Sequence, residues 1–183
     1  MKALTFLLSL FILTIFSCGS TQSVATPEEI QALKKLVDSK SFYIESDWAY
    51  PQVTAAMSQV LNSPLMRPGS GAGGVNLIGN SNFLKVEGDS VTSYLPYFGE
   101  RRMGGQYGGT DSAIEFKGLV EDYEVKENKH SGFTIKFDAK SKNEGFSVII
   151  DLFPNNKSSM TLNGNTRTTI QYTGEVSAKK EEE

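Results

Sequence analysis

Apolar and polar residues alternate along most of the chain, and a period of two predicts β-strands. The clearest example is the pair of segments 82–87 and 90–95, which alternate on either side of Gly88-Asp89. A Gly-Asp step between two alternating runs is a strong signal for a β-hairpin. We therefore predict two antiparallel strands joined by a tight turn at this point.

The same alternation predicts strands before and after this hairpin. From Ser41 to Trp48, one face is predicted to carry Phe42, Ile44 and Trp48, and the other Tyr43, Glu45 and Asp47. From residue 113 to residue 176 the pattern is that of an antiparallel meander, and a kink or bulge is expected at Gly118. The segment 146–152 is the most apolar, which predicts a strand near the sheet centre or one covered by the helix.

Only one segment has clear helical spacing. Thr26 is an N-cap residue followed by Pro27 and, three residues after the cap, by Glu29, which completes a capping box. The apolar stripe behind it consists of Ile30, Leu33, Leu36 and Val37. We predict a helix packed on the sheet as a lid, and the segment before Pro64 permits a second, short helix.

These elements define a fold class. About nine or ten short strands with one N-terminal helix packed on them predict a mainly β protein, a single antiparallel β-barrel or β-sandwich. The domain is placed at residues 26–176, between a short uncharged tether at 18–25 and a disordered charged tail at 177–183. A chain of this length fits one domain.

The first 17 residues have the composition of a secretory signal. Lys2 precedes an apolar run from Leu4 to Phe16, and the apolar run is shorter than the ~20 residues that a membrane-spanning helix needs. Ser17 and the only cysteine of the chain, Cys18, follow directly. The segment resembles the lipobox of bacterial lipoproteins, and the resemblance implies that Cys18 is acylated and anchored in a lipid bilayer. The alternative is an ordinary signal peptide with a spare thiol.

Charge and residue usage exclude several function classes. Loss of the first 17 residues leaves 17 basic against 21 acidic side chains, which disfavours nucleic-acid binding. The only histidine, His130, lies in a polar turn, so neither a zinc site nor a catalytic triad can be assembled. Gly69, Gly71 and Gly74 have the spacing of a dinucleotide fingerprint but lack its strand and helix context. We predict no cofactor and no metal.

The best candidate for a ligand- or partner-binding site is the glycine-rich loop from Pro96 to Gly109. Aromatic residues and arginine are favoured at recognition hot spots, and long loops are often functional. The candidate residues are Tyr94, Tyr97, Phe98, Arg101, Arg102 and Tyr107. In a second interpretation, the aromatic side chains fold back and plug one end of the barrel.

A different function class remains open for the first strand. Glu45 and Asp47 are two residues apart, so a regular strand would place both carboxylates on one face, ~7 Å apart. That separation is within the range of glycoside hydrolases. The hydrolase hypothesis therefore uses Glu45 and Asp47, against the simpler view that both are solvated surface charges.

Three sequence blocks carry a further resemblance: Ser46–Pro51, Asn80–Gly99 and Glu121–Val125. They resemble a family of Bacteroidota envelope lipoproteins classed as domain of unknown function 4251. The resemblance implies an anchored, mostly β envelope protein, and it brings no activity or catalytic residues. Some lipoproteins of these bacteria carry an acidic run after the cysteine that directs them to the cell surface. Residues 19–23 have none, which favours the periplasmic face of the outer membrane, with the cell surface as the alternative.

We therefore expect a membrane-anchored binding or interaction module rather than an enzyme. The expected partner is an envelope protein, a glycan or a small hydrophobic ligand. The alternatives are the hydrolase that uses Glu45 and Asp47 and a purely structural envelope component.

Overall fold

The structure is a computed structural model, and it describes residues 25–64, 66, 68–71, 73–102, 113–141 and 144–178. The described residues form two helices and ten strands. They are α1 (Pro27–Asp38), β1 (Ser41–Pro51), α2 (Ala55–Leu61), β2 (Val75–Asn76), β3 (Phe83–Glu87), β4 (Ser90–Pro96), β5 (Ala113–Leu119), β6 (Glu121–Glu127), β7 (Phe133–Lys140), β8 (Gly145–Leu152), β9 (Lys157–Gly164) and β10 (Ile170–Ala178).

The ten strands form one antiparallel sheet that is nearly closed into a barrel. The strand order is β5-β4-β3-β1-β10-β9-β8-β7-β6, and β2 pairs with β1 beside this path. β5 and β6 stand at the two ends of that order, yet only Val120 separates them in sequence. One nearly continuous strand thus pairs with β4 in its first half and with β7 in its second. The prediction of a mainly β, antiparallel barrel-like domain is confirmed.

The inward-facing residues form one hydrophobic core. Along β7 and β8 every second side chain is buried, which is the pattern expected of strands with one face inside. The most deeply buried large side chains include Phe42, Ile44, Phe137, Ile150 and Tyr172. β8 lies between β7 and β9, away from both edges, but its outward Ile149 is 36% exposed, so α1 does not cover that face.

The two helices pack against the same core. α1 begins with the predicted capping box, because the Thr26 hydroxyl accepts a hydrogen bond from the Glu29 amide and the Glu29 carboxylate accepts one from the Thr26 amide. Its Leu33 and Val37 are buried. α2 contributes Met57 and Leu61. Among the described residues, neither helix has the length and apolar character needed to cross a membrane.

The predicted face of Trp48 is wrong, because β1 contains a β-bulge. Ser46 is opposite Gly174 and Trp48 is opposite Thr173, so Asp47 is an extra residue in β1. The extra residue reverses the alternation, and Ala49 rather than Trp48 is buried. The backbone of the bulge is held by the Asn82 side chain, which bonds both backbone polar groups of Ser46.

The expected kink at Gly118 lies slightly later in the chain. β5 continues through Gly118 to Leu119, and the break falls at Val120, whose amide donates to the Asp89 carbonyl. The left-handed conformation of Asp122 (φ 53°) and a register shift in β6 follow directly. The chain bends here because its pairing partner changes from β4 to β7 at the point where the sheet closes.

Candidate functional site

The candidate loop starts at one end of the barrel, which we call the loop end. β4 finishes at this end, and β5, β8 and β10 begin there. The described part of the candidate loop, residues 97–102, lies beside the β9–β10 connection, residues 165–169. The N-cap of α2 adjoins the same loop, because the Thr54 hydroxyl hydrogen-bonds the Glu100 carboxylate.

Backbone hydrogen bonds fasten the candidate loop to the β9–β10 connection. The Arg102 amide donates to the Thr166 carbonyl at 2.7 Å, and the Thr168 amide donates to the Glu100 carbonyl at 2.9 Å. Arg101 and Arg167 form an antiparallel β-bridge between these bonds. Residues 100–102 therefore behave as a short extra strand with a defined conformation.

Tyr97 lies underneath this short strand. It is 9% exposed, and its hydroxyl is 2.9 Å from the Glu100 carbonyl oxygen and 3.0 Å from the Thr168 carbonyl oxygen. The Thr168 hydroxyl lies 2.9 Å from the same Tyr97 oxygen and also accepts a hydrogen bond from the Glu100 amide. One tyrosine side chain thus ties together the two segments that make the bridge.

A buried ion pair supports Tyr97 from the barrel side. Arg167 Nε donates to Glu144 Oε2 at 2.8 Å, and both side chains are only 7% exposed. The other carboxylate oxygen of Glu144 accepts from the Thr166 hydroxyl, and Arg167 Nη1 donates to the Ala113 carbonyl. The guanidinium lies over the Tyr97 ring at 5.0 Å, in a cation–π contact. Each charge is therefore compensated inside the protein, as a buried charge requires.

We call the network formed by Tyr97, Glu144, Arg167 and Thr168 the clamp. Two glycines leave space for it. A Cβ on Gly99 would lie 2.2 Å from the Tyr97 hydroxyl, and a Cβ on Gly164 would lie 2.6 Å from a Glu144 carboxylate oxygen. Tyr172 lies next to the clamp, and its hydroxyl donates a hydrogen bond to the carbonyl of Pro96, the residue before Tyr97. Burial raises the pKa of the Tyr172 hydroxyl far above its usual value, with a smaller contribution from Tyr97, so it remains a neutral donor.

The structure distributes the predicted site residues over different environments. Tyr97 is buried in the clamp, which is the position that the plug interpretation expects, and Phe98 is partly buried against the core. Arg101 and Arg102 have exposed side chains at the loop end. Tyr94 is 40% exposed on the outer face of β4, separate from the clamp. Tyr107 and Cys18 lie outside the described residues.

The two carboxylates of the hydrolase hypothesis lie on the outside of β1. Glu45 is exposed and stands opposite Glu175 of β10. Asp47 is the bulge residue, so the regular two-residue spacing does not hold. Lys157 forms an ion pair with Glu175: the hydrogen bond to Glu175 raises the pKa of Lys157, and the charge of Asp47 adds a smaller effect. Both carboxylates therefore belong to a charged outer surface of the sheet.

Arg167, Glu144 and Thr168 are not among the site residues predicted from the sequence. They occupy polar connections between strands, where charged residues are usual, and only closure of the barrel brings them next to Tyr97. His130 lies in its predicted turn, where its amide donates to Asn128 and its ring contacts Phe153. Among the described residues, no group of three or more His, Cys, Asp or Glu side chains is placed to hold a metal ion.

The fold is therefore that of a small antiparallel barrel with a helix at its N-terminus and a clamped loop at one end. The chain belongs to the family called domain of unknown function (DUF4251), whose model matches residues 25–176. It is similar in fold to a DUF4251 family protein from Bacteroides eggerthii DSM 20697, known from a crystal structure at 1.95 Å resolution. The two share 14% identity with a TM-score of 0.55, over 82% of this chain and 88% of that one. A comparison with curated proteins gave no match.

Proposed function

We propose that the protein is a lipid-anchored binding module of the cell envelope, without enzymatic activity, which contacts an envelope protein through its loop end. The observation that supports this proposal is the clamp. It fixes residues 100–102 against the β9–β10 connection while the side chains of Arg101 and Arg102 remain exposed. A surface that is ordered before binding loses little conformational entropy when a partner arrives.

The chemistry of the loop end favours a protein partner with acidic side chains. The exposed guanidinium group of Arg102 presents planar donors that match a carboxylate. Val53, 62% exposed, precedes Thr54, which touches Glu100, so an apolar side chain lies near the short strand that contains Arg102. Arginine beside exposed apolar surface is typical of the centre of a protein interface. A neutral glycan or a small hydrophobic ligand would bring no carboxylate to the guanidinium group.

Crosslinking in cells tests the contact. A photoreactive amino acid at Val53 is expected to yield a protein adduct, and the same probe at the exposed Lys136 on β7 is expected to yield none. With the probe at Val53, Arg102→Glu should reduce the adduct by about tenfold, since one charge-assisted pair is replaced by repulsion. Equal adducts at Val53 and Lys136, or an adduct indifferent to Arg102→Glu, would contradict the proposal.

The anchor is tested separately. The helix begins at Pro27, so only the short tether separates Cys18 from the folded domain. We expect the wild-type protein in the outer-membrane fraction, labelled by palmitate and released by detergent. Cys18→Ala, expressed behind an ordinary cleaved secretory signal, should appear unlabelled in the soluble periplasmic fraction, whereas Ser20→Ala should remain with the membrane. Retention of the Cys18→Ala protein in the membrane would rule out a lipid anchor at this residue.

A further inference from the structure

Three aromatic side chains lie side by side on the outer face of the barrel. Phe83 of β3 is directly opposite Tyr94 of β4, and the ring of Tyr43 from β1 stacks on Phe83 with centroids 5.7 Å apart and planes 18° from parallel. Tyr94 is 40% exposed, and the other two are partly exposed. We call Tyr43, Phe83 and Tyr94 the aromatic platform.

The barrel core does not account for the aromatic platform. In each of the three strands the neighbouring residues point inward and are fully or almost fully buried, as Ile44, Leu84 and Leu95 show. Cross-strand aromatic pairs stabilise a sheet by about 0.2–1 kcal/mol each, an effect that smaller or β-branched residues also provide. Large rings facing solvent on three adjacent strands are typical of a surface that meets a ligand.

Polar groups surround the aromatic platform on several sides. Glu115 of β5 stands opposite Tyr94, and Lys85 stands opposite Tyr43. Glu45 lies two residues after Tyr43 on the same face of β1; partial burial raises the pKa of the Tyr43 hydroxyl, and the charge of Glu45 adds to the shift. The platform is therefore an apolar strip with hydrogen-bonding groups at both ends.

We propose that the aromatic platform binds an uncharged saccharide chain. The C–H faces of pyranose rings stack on aromatic rings, and carboxylates accept hydrogen bonds from sugar hydroxyls. Strands in a sheet are ~4.8 Å apart, so the side chains of Phe83 and Tyr94 leave the sheet at a spacing close to the ring-to-ring repeat of an extended saccharide. This inference is independent of the partner proposed for the loop end.

The surrounding charges distinguish a neutral saccharide from other ligands. Lys85 beside the platform already forms an ion pair with Glu87, so Glu45 and Glu115 at the two ends of the strip would repel an anionic polymer or an acidic lipid surface. An apolar protein face would bury the same carboxylates without partners, which is strongly unfavourable. A polyhydroxylated chain satisfies the carboxylates and covers the rings at the same time.

Calorimetric titration of the detergent-solubilised mature protein with cellohexaose, maltohexaose and chitohexaose tests the inference. At least one of them should bind the wild-type protein, and Tyr94→Ala should weaken that binding by about tenfold, the effect of losing one stacking contact. Tyr94→Phe keeps the ring and should bind like the wild type. Tyr50→Ala is the matched control, because Tyr50 is 36% exposed elsewhere on β1, and it should also leave binding unchanged.

The unfolding temperature of each variant separates lost binding from lost structure. If Tyr94→Ala does not fold, Glu115→Ala provides the second measurement, and it should weaken binding by at least about threefold through loss of an acceptor. The inference is overturned if none of the three hexasaccharides binds, if Tyr94→Ala binds as well as the wild type, or if Tyr50→Ala is impaired equally.

Discussion

Replacement of Arg167 by alanine is expected to lower the free energy of unfolding by about 3–5 kcal/mol, the usual cost of removing one partner of a buried ion pair. The variant leaves the Glu144 carboxylate almost fully buried without its cation, and it also removes the contact with the Tyr97 ring. The Ala113 carbonyl loses a donor as well. Urea unfolding at neutral pH, followed by tryptophan fluorescence and circular dichroism, measures the change.

Arg102→Ala is the matched control for this prediction. Arg102 belongs to the short strand that pairs with the β9–β10 connection, but its side chain is exposed and its structural hydrogen bond comes from the backbone amide. The expected change is within about 0.5 kcal/mol. Equal losses of unfolding free energy in the two variants would show that the buried ion pair does not stabilise the clamp.

Removal of both charges gives a second readout. The defect of the Arg167→Ala variant arises from the negative charge that the Glu144 side chain keeps in a buried position. The double variant Arg167→Met with Glu144→Leu should recover much of the loss at neutral pH, because no charge remains buried.

The sequence was sufficient to predict the strands and the helix because their signals are local. In β3 and β4 the alternation of side chains and the Gly-Asp turn lie within a few consecutive residues, and the structure has the predicted hairpin there. The capping box at the start of α1 is formed by residues three apart. Both patterns are formed by residues close together in the sequence, so they can be recognised without the tertiary structure.

The clamp could not be predicted in the same way, because its members are far apart in the sequence. The Tyr97 and Thr168 oxygens are within hydrogen-bonding distance, although 71 positions separate the two residues. Nothing in the neighbourhood of Arg167 distinguishes it from a solvated arginine in a turn. The burial of Arg167 follows from the strand order. The start of β10 lies beside the end of β9, and the end of β4, which β1 and β3 separate from β10, is at the same end of the barrel.

The bulge in β1 shows how one residue alters a face. Up to Ser46 the alternation predicted from the sequence agrees with the structure, and Phe42 and Ile44 are buried. Asp47 then adds a residue without a partner on β10, so every later side chain of β1 takes the opposite side. The sequence signal of the bulge is on the opposite strand: Gly174 faces Ser46, where the bulged backbone approaches most closely.

Gly174→Ala is accordingly expected to lower the free energy of unfolding by about 3 kcal/mol, at the upper end of the usual cost of overpacking a core. A Cβ at this position would lie 2.0 Å from the Glu45 carbonyl oxygen and 2.6 Å from the Ser46 Cα. Both are backbone atoms, so a change of side-chain rotamer cannot relieve the clash, and the bulge itself would have to move. Urea unfolding of the purified variant measures the loss.

Gly118→Ala provides the comparison for the Gly174 variant within the same sheet. Gly118 lies in β5, and a Cβ there would have no heavy atom within 4 Å. Alanine reduces the conformational entropy of the unfolded chain, so Gly118→Ala should raise the free energy of unfolding by about 0.5 kcal/mol. Opposite signs for the two substitutions are expected if close packing at the bulge, rather than strand propensity, requires Gly174. If Gly174→Ala lowers the free energy of unfolding by no more than Gly118→Ala changes it, the bulge can shift to accommodate a methyl group. In that case the bulge does not fix the register of β1 against β10.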